Sequence, residues 1–432
     1  MAWLGEVPAH WSLKRLRFAV TLNPSRSEVA ALDRGTEVSF LPMEAIGDNG
    51  SLNLQHTRSI KDVETGYTYF RDGDVALAKI TPCFENGKGA LMKGLRGGIG
   101  FGTTELIVAR PKLGNISGPL LNWVFRSPNF RNQGQASMYG AGGQKRVPDD
   151  FVRDFLWAFP PMDEQSAIAA FLDRETAKID ALIAEQEKLI ALLAEKRQAT
   201  ISHAVTKGLN PNAPMKDSGV PWLGEVPAHW SMLRVKAVSR FTTSGPRGWS
   251  ERIAEQGSLF IQSGDLNDAL EIGFEAAKRV NVAQDAEAAR TRLIDGDVVV
   301  CITGAKTGNV AVCPRLREPA YVNQHLCLIR LTETVLPFFL GFSLKSTVGQ
   351  TQFELSQYGL KQGLSLENIR ELWIAVPSRH EQAEIIGFLD SEIAKLNELK
   401  SQSEHAITLL KERRSALIAA AVTGQIDVRQ AA

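Results

Sequence analysis

Trp3–Ser12 reads WLGEVPAHWS, and Trp222–Ser231 reads WLGEVPAHWS again. Ten identical residues, two of them tryptophan, do not recur by chance. The chain is therefore a tandem repeat whose period is about half of its 432 residues. The likeness continues more faintly downstream. Asp72-Gly73-Asp74-Val75 matches Asp295-Gly296-Asp297-Val298, and Thr104 to Arg110 follows the polar and apolar order of Gln324 to Arg330. Pro160, Glu164-Gln165 and Phe171-Leu172-Asp173 match Pro377, Glu381-Gln382 and Phe388-Leu389-Asp390. Lys178 matches Lys395, and Ala204-Val205-Thr206 matches Ala421-Val422-Thr423. The ends of the two copies agree and their middles diverge.

Each copy closes on a long stretch rich in Ala, Leu, Glu, Lys and Gln, from about Asp163 to Thr206 and from about His380 to Thr423. That composition favours helix. Apolar residues recur near a 3.5-residue period at Ile168, Leu172, Ile179, Leu182, Leu189 and Leu193. The second copy answers with Ile385, Leu389, Leu396, Leu399, Ala406 and Leu410. Glu175 and Gln186 interrupt the first stripe, and Glu392 and Ser403 interrupt the second at matching places. The pattern predicts a coiled-coil seam with polar register markers. A helix of about 40 residues is roughly 60 Å long, more than one core of this size requires. The two helices are expected to pair antiparallel as a rigid spacer. The reading divides the chain into 1–160, helix 161–207, linker 208–221, 222–377, helix 378–424 and a tail 425–432. The linker, with its Gly, Asn and Pro, stops the first helix.

The globular parts carry short strand-like runs. They are Val38–Leu41, Val75–Ala78 and Leu106–Val108 in the first copy, and Leu259–Ile261, Val298–Ile302 and Leu326–Ile329 in the second. The Asp-Gly-Asp elements are turn signals. The predicted class is α+β: two pseudo-symmetric globular domains, each followed by a long helix.

Apolar residues make up 44% and charged residues 22%, which excludes a disordered or collagen-like chain. Four cysteines make no disulfide framework, and no apolar run reaches the roughly 20 residues of a membrane span. With no signal-peptide pattern at the start, a cytoplasmic protein is expected. Catalytic motifs are absent: Thr303–Gly308 lacks the phosphate-loop spacing, and Gly98–Gly102 reads as a structural turn. Cys301, Cys313, His325 and Cys327 are a conceivable zinc set without close spacing, so no metal is expected. His10 and His229, beside Trp11 and Trp230, read as a packing corner.

Net charge is +1, but it is unevenly placed. Residues 1–160 hold 19 basic and 15 acidic groups, and residues 222–377 hold 16 of each. Candidate basic contacts to nucleic acid in the first copy are Lys79, Lys88, Lys93, Arg96, Lys145 and Arg146. In the second they are Arg247, Lys278, Arg279, Arg290, Arg292, Lys306 and Lys361.

The chain resembles the specificity (S) subunit of type I restriction–modification systems. The resemblance rests on Leu209-Asn210-Pro211, on Met215 to Val220 leading into WLGEVPAHW, and on the Asp-Gly-Asp-Val turns. It rests further on Pro-Pro-Met-Asp-Glu-Gln at 160–165, Pro-Ser-Arg-His-Glu-Gln at 377–382, and the Ala-Val-Thr helix ends. It implies two target recognition domains, 1–160 and 222–377, each reading half of a split sequence in double-stranded DNA. It also implies a non-catalytic subunit that docks two methyltransferase (M) subunits and, through them, restriction (R) subunits. S-adenosylmethionine, ATP and Mg are expected on those partners and none on this chain. Two other readings are a protein scaffold without direct DNA reading and a metal-dependent enzyme built on the Cys/His set.

Overall fold

The computed structural model describes residues 5–141, 143–283, 285–357 and 363–429. The chain divides into two compact units. Unit 1 is Met1–Glu187 with His405–Ala432, and unit 2 is Lys188–Glu404. The central helix (Met162–Lys207) and the C-terminal helix (Arg379–Val422) each contribute to both. Unit 1 is thus completed by chain from the far end of the sequence.

Unit 1 carries β1 (Ser12–Arg15), β2 (Val20–Leu22), β3 (Glu37–Leu41), β4 (Thr57–Ser59) and β5 (Thr68–Arg71). It continues with β6 (Val75–Ala78), β7 (Gly89–Leu91), β8 (Ile99–Gly102), β9 (Leu106–Pro111) and β10 (Leu156–Phe159). The order β2-β9-β6-β7 makes an antiparallel sheet, with Ala76 opposite Val108. The order β4-β3-β8-β5 makes a second sheet in which β3 and β8 run parallel. The strand β1 pairs with β10.

Unit 2 repeats the plan with β11 (Met215–Asp217), β12 (Glu225–Pro227), β13 (Ser231–Arg234), β14 (Ser239–Ser244), β15 (Ile253–Ala254) and β16 (Ser258–Ile261). There follow β17 (Lys278–Val280), β18 (Val298–Cys301), β19 (Val310–Val312), β20 (Ala320–Val322), β21 (Leu326–Leu331) and β22 (Trp373–Val376). Its sheets are β14-β21-β18-β19 and β15-β17-β16-β20, with β16 and β20 parallel. Here β13 pairs with β22, and β11 with β12.

Alternation along β6 places Val75 and Leu77 in a core with Trp123, Ile168 and Leu172, and Ala76 and Ala78 in another with Leu41 and Phe70. In unit 2, β18 splits in the same way: Val298 and Val300 face one core, Val299 and Cys301 the other. The glycine-rich run at 98–102, read as a turn, instead supplies β8 from Ile99 onward, one of the two inner strands of its sheet. A Cβ on Gly100 would lie 2.2 Å from the Phe70 ring, so glycine lets that ring pack on the strand.

Within unit 1, Ile168 and Leu172 of the central helix share a core with Ile418, Ala421 and Val422 of the C-terminal helix. Arg414 Nε donates to Asp180 Oδ1 at 2.8 Å. In unit 2, Ile201, Ala204 and Val205 pack with Ile385, Leu389 and Ile393. Residue numbers rise along one helix as they fall along the other, so in each unit the pairing is antiparallel.

The seam is not quite the one expected. Ile168, Leu172, Ile179, Leu193, Ile385, Leu389 and Leu396 are buried, and Ala406 and Leu410 are half-buried. Leu182, Leu189 and Leu399 are exposed. Ile183 and Ile190 are half-buried beside the exposed leucines. The true spacing therefore runs Thr176, Ile179, Ile183, Gln186, Ile190, Leu193, in steps of three and four. Leu182→Ser is expected to change stability by less than about 0.5 kcal/mol, whereas Leu193→Ala should cost about 2–3 kcal/mol. Urea unfolding of both variants checks this. Equal costs would restore the leucine register. No helix among the described residues is long and apolar enough to cross a membrane.

Candidate nucleic-acid interface

Three devices recur in both units and hold their frameworks. The first is a corner built by the repeated motif. His10 Nε2 meets Glu164 Oε2 at 2.8 Å, and His229 Nε2 meets Glu381 Oε2 at 2.9 Å. Trp230 Nε1 also donates to Glu381 Oε1 at 3.0 Å. Both histidines therefore tie the repeated motif to the start of a long helix, as a packing corner should.

The second device is a buried glutamine. Gln165 Oε1 accepts from Ser117 N at 2.8 Å, and its Nε2 donates to Asn115 O and Pro160 O at 2.9 and 3.0 Å. Gln382 does the same with Leu336 N, Thr334 O and Pro377 O at 2.8, 3.1 and 3.0 Å. A neutral amide with donors and an acceptor satisfies all three backbone groups at once.

The third is the second Asp of Asp-Gly-Asp-Val. Asp74 receives Arg110 Nε and Nη2 at 2.6 and 2.8 Å, plus Arg71 N at 2.9 Å. Asp297 receives Arg330 Nε and Nη2 at 2.9 and 2.8 Å, plus Ile294 N at 2.9 Å. The hydrogen bonds that these guanidinium groups donate to the carboxylates push both arginine pKa values up. Gly73 and Gly296 sit at φ 89° and 81° in the turns, a conformation glycine adopts without cost.

On these frameworks three segments converge at one end of the main sheet. In unit 1 they are the β6–β7 loop, the lead into β9, and residues 143–147. Lys79 N donates to Glu105 O, Val147 N to Lys79 O, and Thr81 N to Lys145 O, at 2.8, 2.8 and 2.9 Å. In unit 2, Ile302 N donates to His325 O and Leu364 N to Ile302 O, at 2.9 and 2.7 Å. The backbone is common to both, but the side chains differ. Unit 1 presents Glu105, Arg146, Lys79 and Lys145. Unit 2 presents Thr303, hydrogen-bonded to His325 Nδ1, and Gln324, whose Nε2 lies 3.2 Å from His325 Nε2. A hydrogen bond from Arg146 holds the Glu105 carboxyl below its ordinary pKa, and Lys79 adds to the effect.

A brace also recurs. Arg131 Nη2 donates to Gly87 O at 3.0 Å, and Gln350 Nε2 to Gly308 O at 3.0 Å. Each grips the hairpin loop from the helix behind it. Burial pushes the Arg131 pKa down to about 10. Lys88 Nζ reaches Met43 O at 3.1 Å and Lys306 Nζ reaches Gly264 O at 3.2 Å, so each hairpin loop sends a lysine to the short helical turn that follows β3 or β16, though from different positions in the loop.

The thirteen basic candidates separate into groups. Lys79, Lys145 and Arg146 come together, and Lys88 lies in the same loop. Lys93 is exposed beyond β7, and Arg96 pairs with Glu37 at 2.7 Å away from the cluster. In unit 2, Lys306 and Lys278 both act electrostatically on Asp265, whose pKa burial raises. Arg247 is exposed just after β14, and Arg290 donates to Thr243 and Ser244. Gly245 N bonds Asn323 O at 3.2 Å, so that edge borders the converging loops. Arg279 is held by Glu318 at 2.7 Å, and Arg292 is exposed on another edge. Lys361 lies outside the described residues. Glu105, Thr303, Gln324 and His325 stand in the same clusters but are not cations, so a search for basic groups does not reach them. For Glu105, Gln324 and His325, a place in the matched 104–110 and 324–330 segments is the signal the sequence offers.

The conceivable zinc set does not converge. Cys327 lies in one core, and Cys301 and Cys313 lie in the core on the other face of the sheet. Burial pushes the Cys313 thiol up to about 12 and the Cys301 and Cys327 thiols up as well, as expected of apolar packing.

Residues 249–409 match the family described as the type I restriction modification DNA specificity domain. The chain is 40% identical over 195 residues to the type I restriction enzyme EcoEI specificity subunit of Escherichia coli, covering 44% of this chain and 32% of that one. It is 41% identical over 194 residues to the EcoAI specificity subunit, with the same coverage. Over these parts the chain is similar to type I specificity subunits. The aligned part spans about a third of the length of these two relatives. A solved structure titled for complex assembly and conformational transition of the type I R-M system shares the fold. Its TM-score is 0.80 at 19% identity, over 98% of this chain and 100% of that one. The HsdS subunit from Thermoanaerobacter tengcongensis superposes with a TM-score of 0.60, also at 19% identity, over 98% of both chains.

Proposed function

We propose that this chain is the non-catalytic DNA-specificity subunit of a type I restriction–modification complex. In this reading, each unit recognises one half of a bipartite duplex sequence. The chain docks methyltransferase subunits and, through them, restriction subunits. S-adenosylmethionine, ATP and Mg act on those partners. The observation that carries the proposal is the pair of loop clusters: one backbone arrangement, built twice on matching buried braces, carries different polar side chains. Two half-sites of different sequence need different base-edge donors and acceptors on one docking geometry.

The test is a segment exchange. Residues 13–160 are replaced by the corresponding segment of another specificity subunit, and methylation is mapped in cells that carry the matching methyltransferase. One half of the methylated sequence is expected to change while the other stays. A change in both halves, or in neither, overturns the modular reading. DNA affinity that does not fall with salt would point to the scaffold reading, because lysine and arginine contacts to phosphate release counterions.

A further inference from the structure

We propose that Arg146, buttressed by Glu105, reads a guanine in the half-site of unit 1, and that unit 2 has no equivalent reader among its described residues. This inference rests on the DNA-recognition reading above. Arg146 offers Nε to Glu105 Oε1 and Oε2 at 3.2 and 3.0 Å and Nη2 to Oε1 at 2.7 Å. That engages one edge of the guanidinium. Nη1 makes no hydrogen bond among the described residues. The end-on fork of Nη1 and the second Nη2 proton therefore remains for a pair of acceptors, the pattern that guanine O6 and N7 present in the major groove.

The backbone beneath Arg146 is clamped on two sides. Arg146 N donates to Tyr139 O at 2.9 Å, and Tyr139 N donates to Arg146 O at 3.1 Å. Ile80 bridges Arg146 from the β6–β7 loop, and the next residue, Val147, is buried in the core. A side chain fixed by its own backbone and by a carboxylate loses little freedom on binding. Its side chain is 38% exposed, so it is reachable without rearrangement.

Unit 2 repeats this backbone and removes the reader. Thr303 bridges Gly363 as Ile80 bridges Arg146, and Leu364 takes the place of Val147 in the core. Glycine stands where Arg146 would be, and His325 stands where Glu105 would be. The arginine and its buttress are lost together, as expected if the two act as one reading element. Gln324 and His325 leave unit 2 a mixed donor and acceptor surface instead.

The test compares Arg146→Ala, Arg146→Lys and Glu105→Gln with the unaltered chain, each in complex with the methyltransferase subunit, by selection from a random duplex library. The unaltered complex is expected to select a bipartite consensus. Both Arg146 variants should then lose the preference for guanine at one position of one half by on the order of tenfold or more, with the other half intact. Lysine keeps the charge but not the fork, so its failure to restore the guanine separates reading from neutralisation. Glu105→Gln should weaken the same preference without affecting other positions. A uniform loss of affinity across all sequences, with a shallower salt dependence, would make Arg146 a phosphate contact and overturn the inference. So would an unchanged consensus in all three variants. If the unaltered complex selects nothing, the function proposed above is itself overturned.

Discussion

Truncation after Glu404 is expected to unfold unit 1 and leave unit 2 folded. The segment 405–432 looks like the end of a helix and a short tail, but Ile418, Ala421, Val422 and Val428 are buried in the core of unit 1 with Trp11, Trp157 and Ile168. Burial of each Ile or Val contributes about 1.5–3 kcal/mol. Trp157 Nε1 donates to Val422 O at 2.8 Å, and losing that acceptor strands a buried indole N–H, at about 1–3 kcal/mol. Together these approach the whole stability of an ordinary domain, about 5–15 kcal/mol. Hydrogen exchange read by peptide should show protection lost along β6 and β9 and retained along β18 and β21. Protection that survives in β6 would mean that unit 1 folds without its returning helix.

That dependence also shows where the sequence was legible. The repeat was plain because the corner needs the same Trp, His and Pro at both helix starts, and the Glu-Gln motif stood out because its amide serves three backbone groups in each unit. What escaped was pairing across long separations. His10 meets Glu164 and Asp180 meets Arg414, and no local pattern announces either contact. The helix seam slipped by one residue because Leu-Ile occurs at both 182–183 and 189–190, and periodicity accepts either member. Only burial separates them. The converging loops were least legible. Arg96 and Arg279 look the same in sequence as Lys79 and Arg146, yet the first two pair with Glu37 and Glu318 beside the second sheet of each unit and not at the converging loops. Loops that differ between copies carry little repeat signal beyond the polar and apolar order shared by 104–110 and 324–330.

The second large effect is expected at the buried Asp–Arg pair, and it should be unequal between the units. Asp297→Ala leaves the Arg330 guanidinium, among the described residues, with only Arg292 O at 3.0 Å and strips Ile294 N of its acceptor. Removing one partner of a buried ion pair costs about 3–5 kcal/mol, because the surviving charge stays desolvated. Asp74→Ala should cost less, nearer 2–3 kcal/mol. Arg110 keeps a second carboxylate there, Glu28, whose two oxygens lie 2.6 and 2.7 Å from Nη1. Tyr69 Oη donates to Glu28 at 3.1 Å and helps to hold it in place. Denaturant unfolding of each variant, assigned to its unit by hydrogen exchange, measures both costs. Replacing both partners in unit 2, as Asp297→Leu with Arg330→Met, should recover much of the loss, since an apolar pair carries no charge to desolvate. Equal costs for Asp74→Ala and Asp297→Ala would show that Glu28 does not share the charge of Arg110. The pair would then act in each unit mainly through the turn it caps, where Arg71 N and Ile294 N lose the same acceptor.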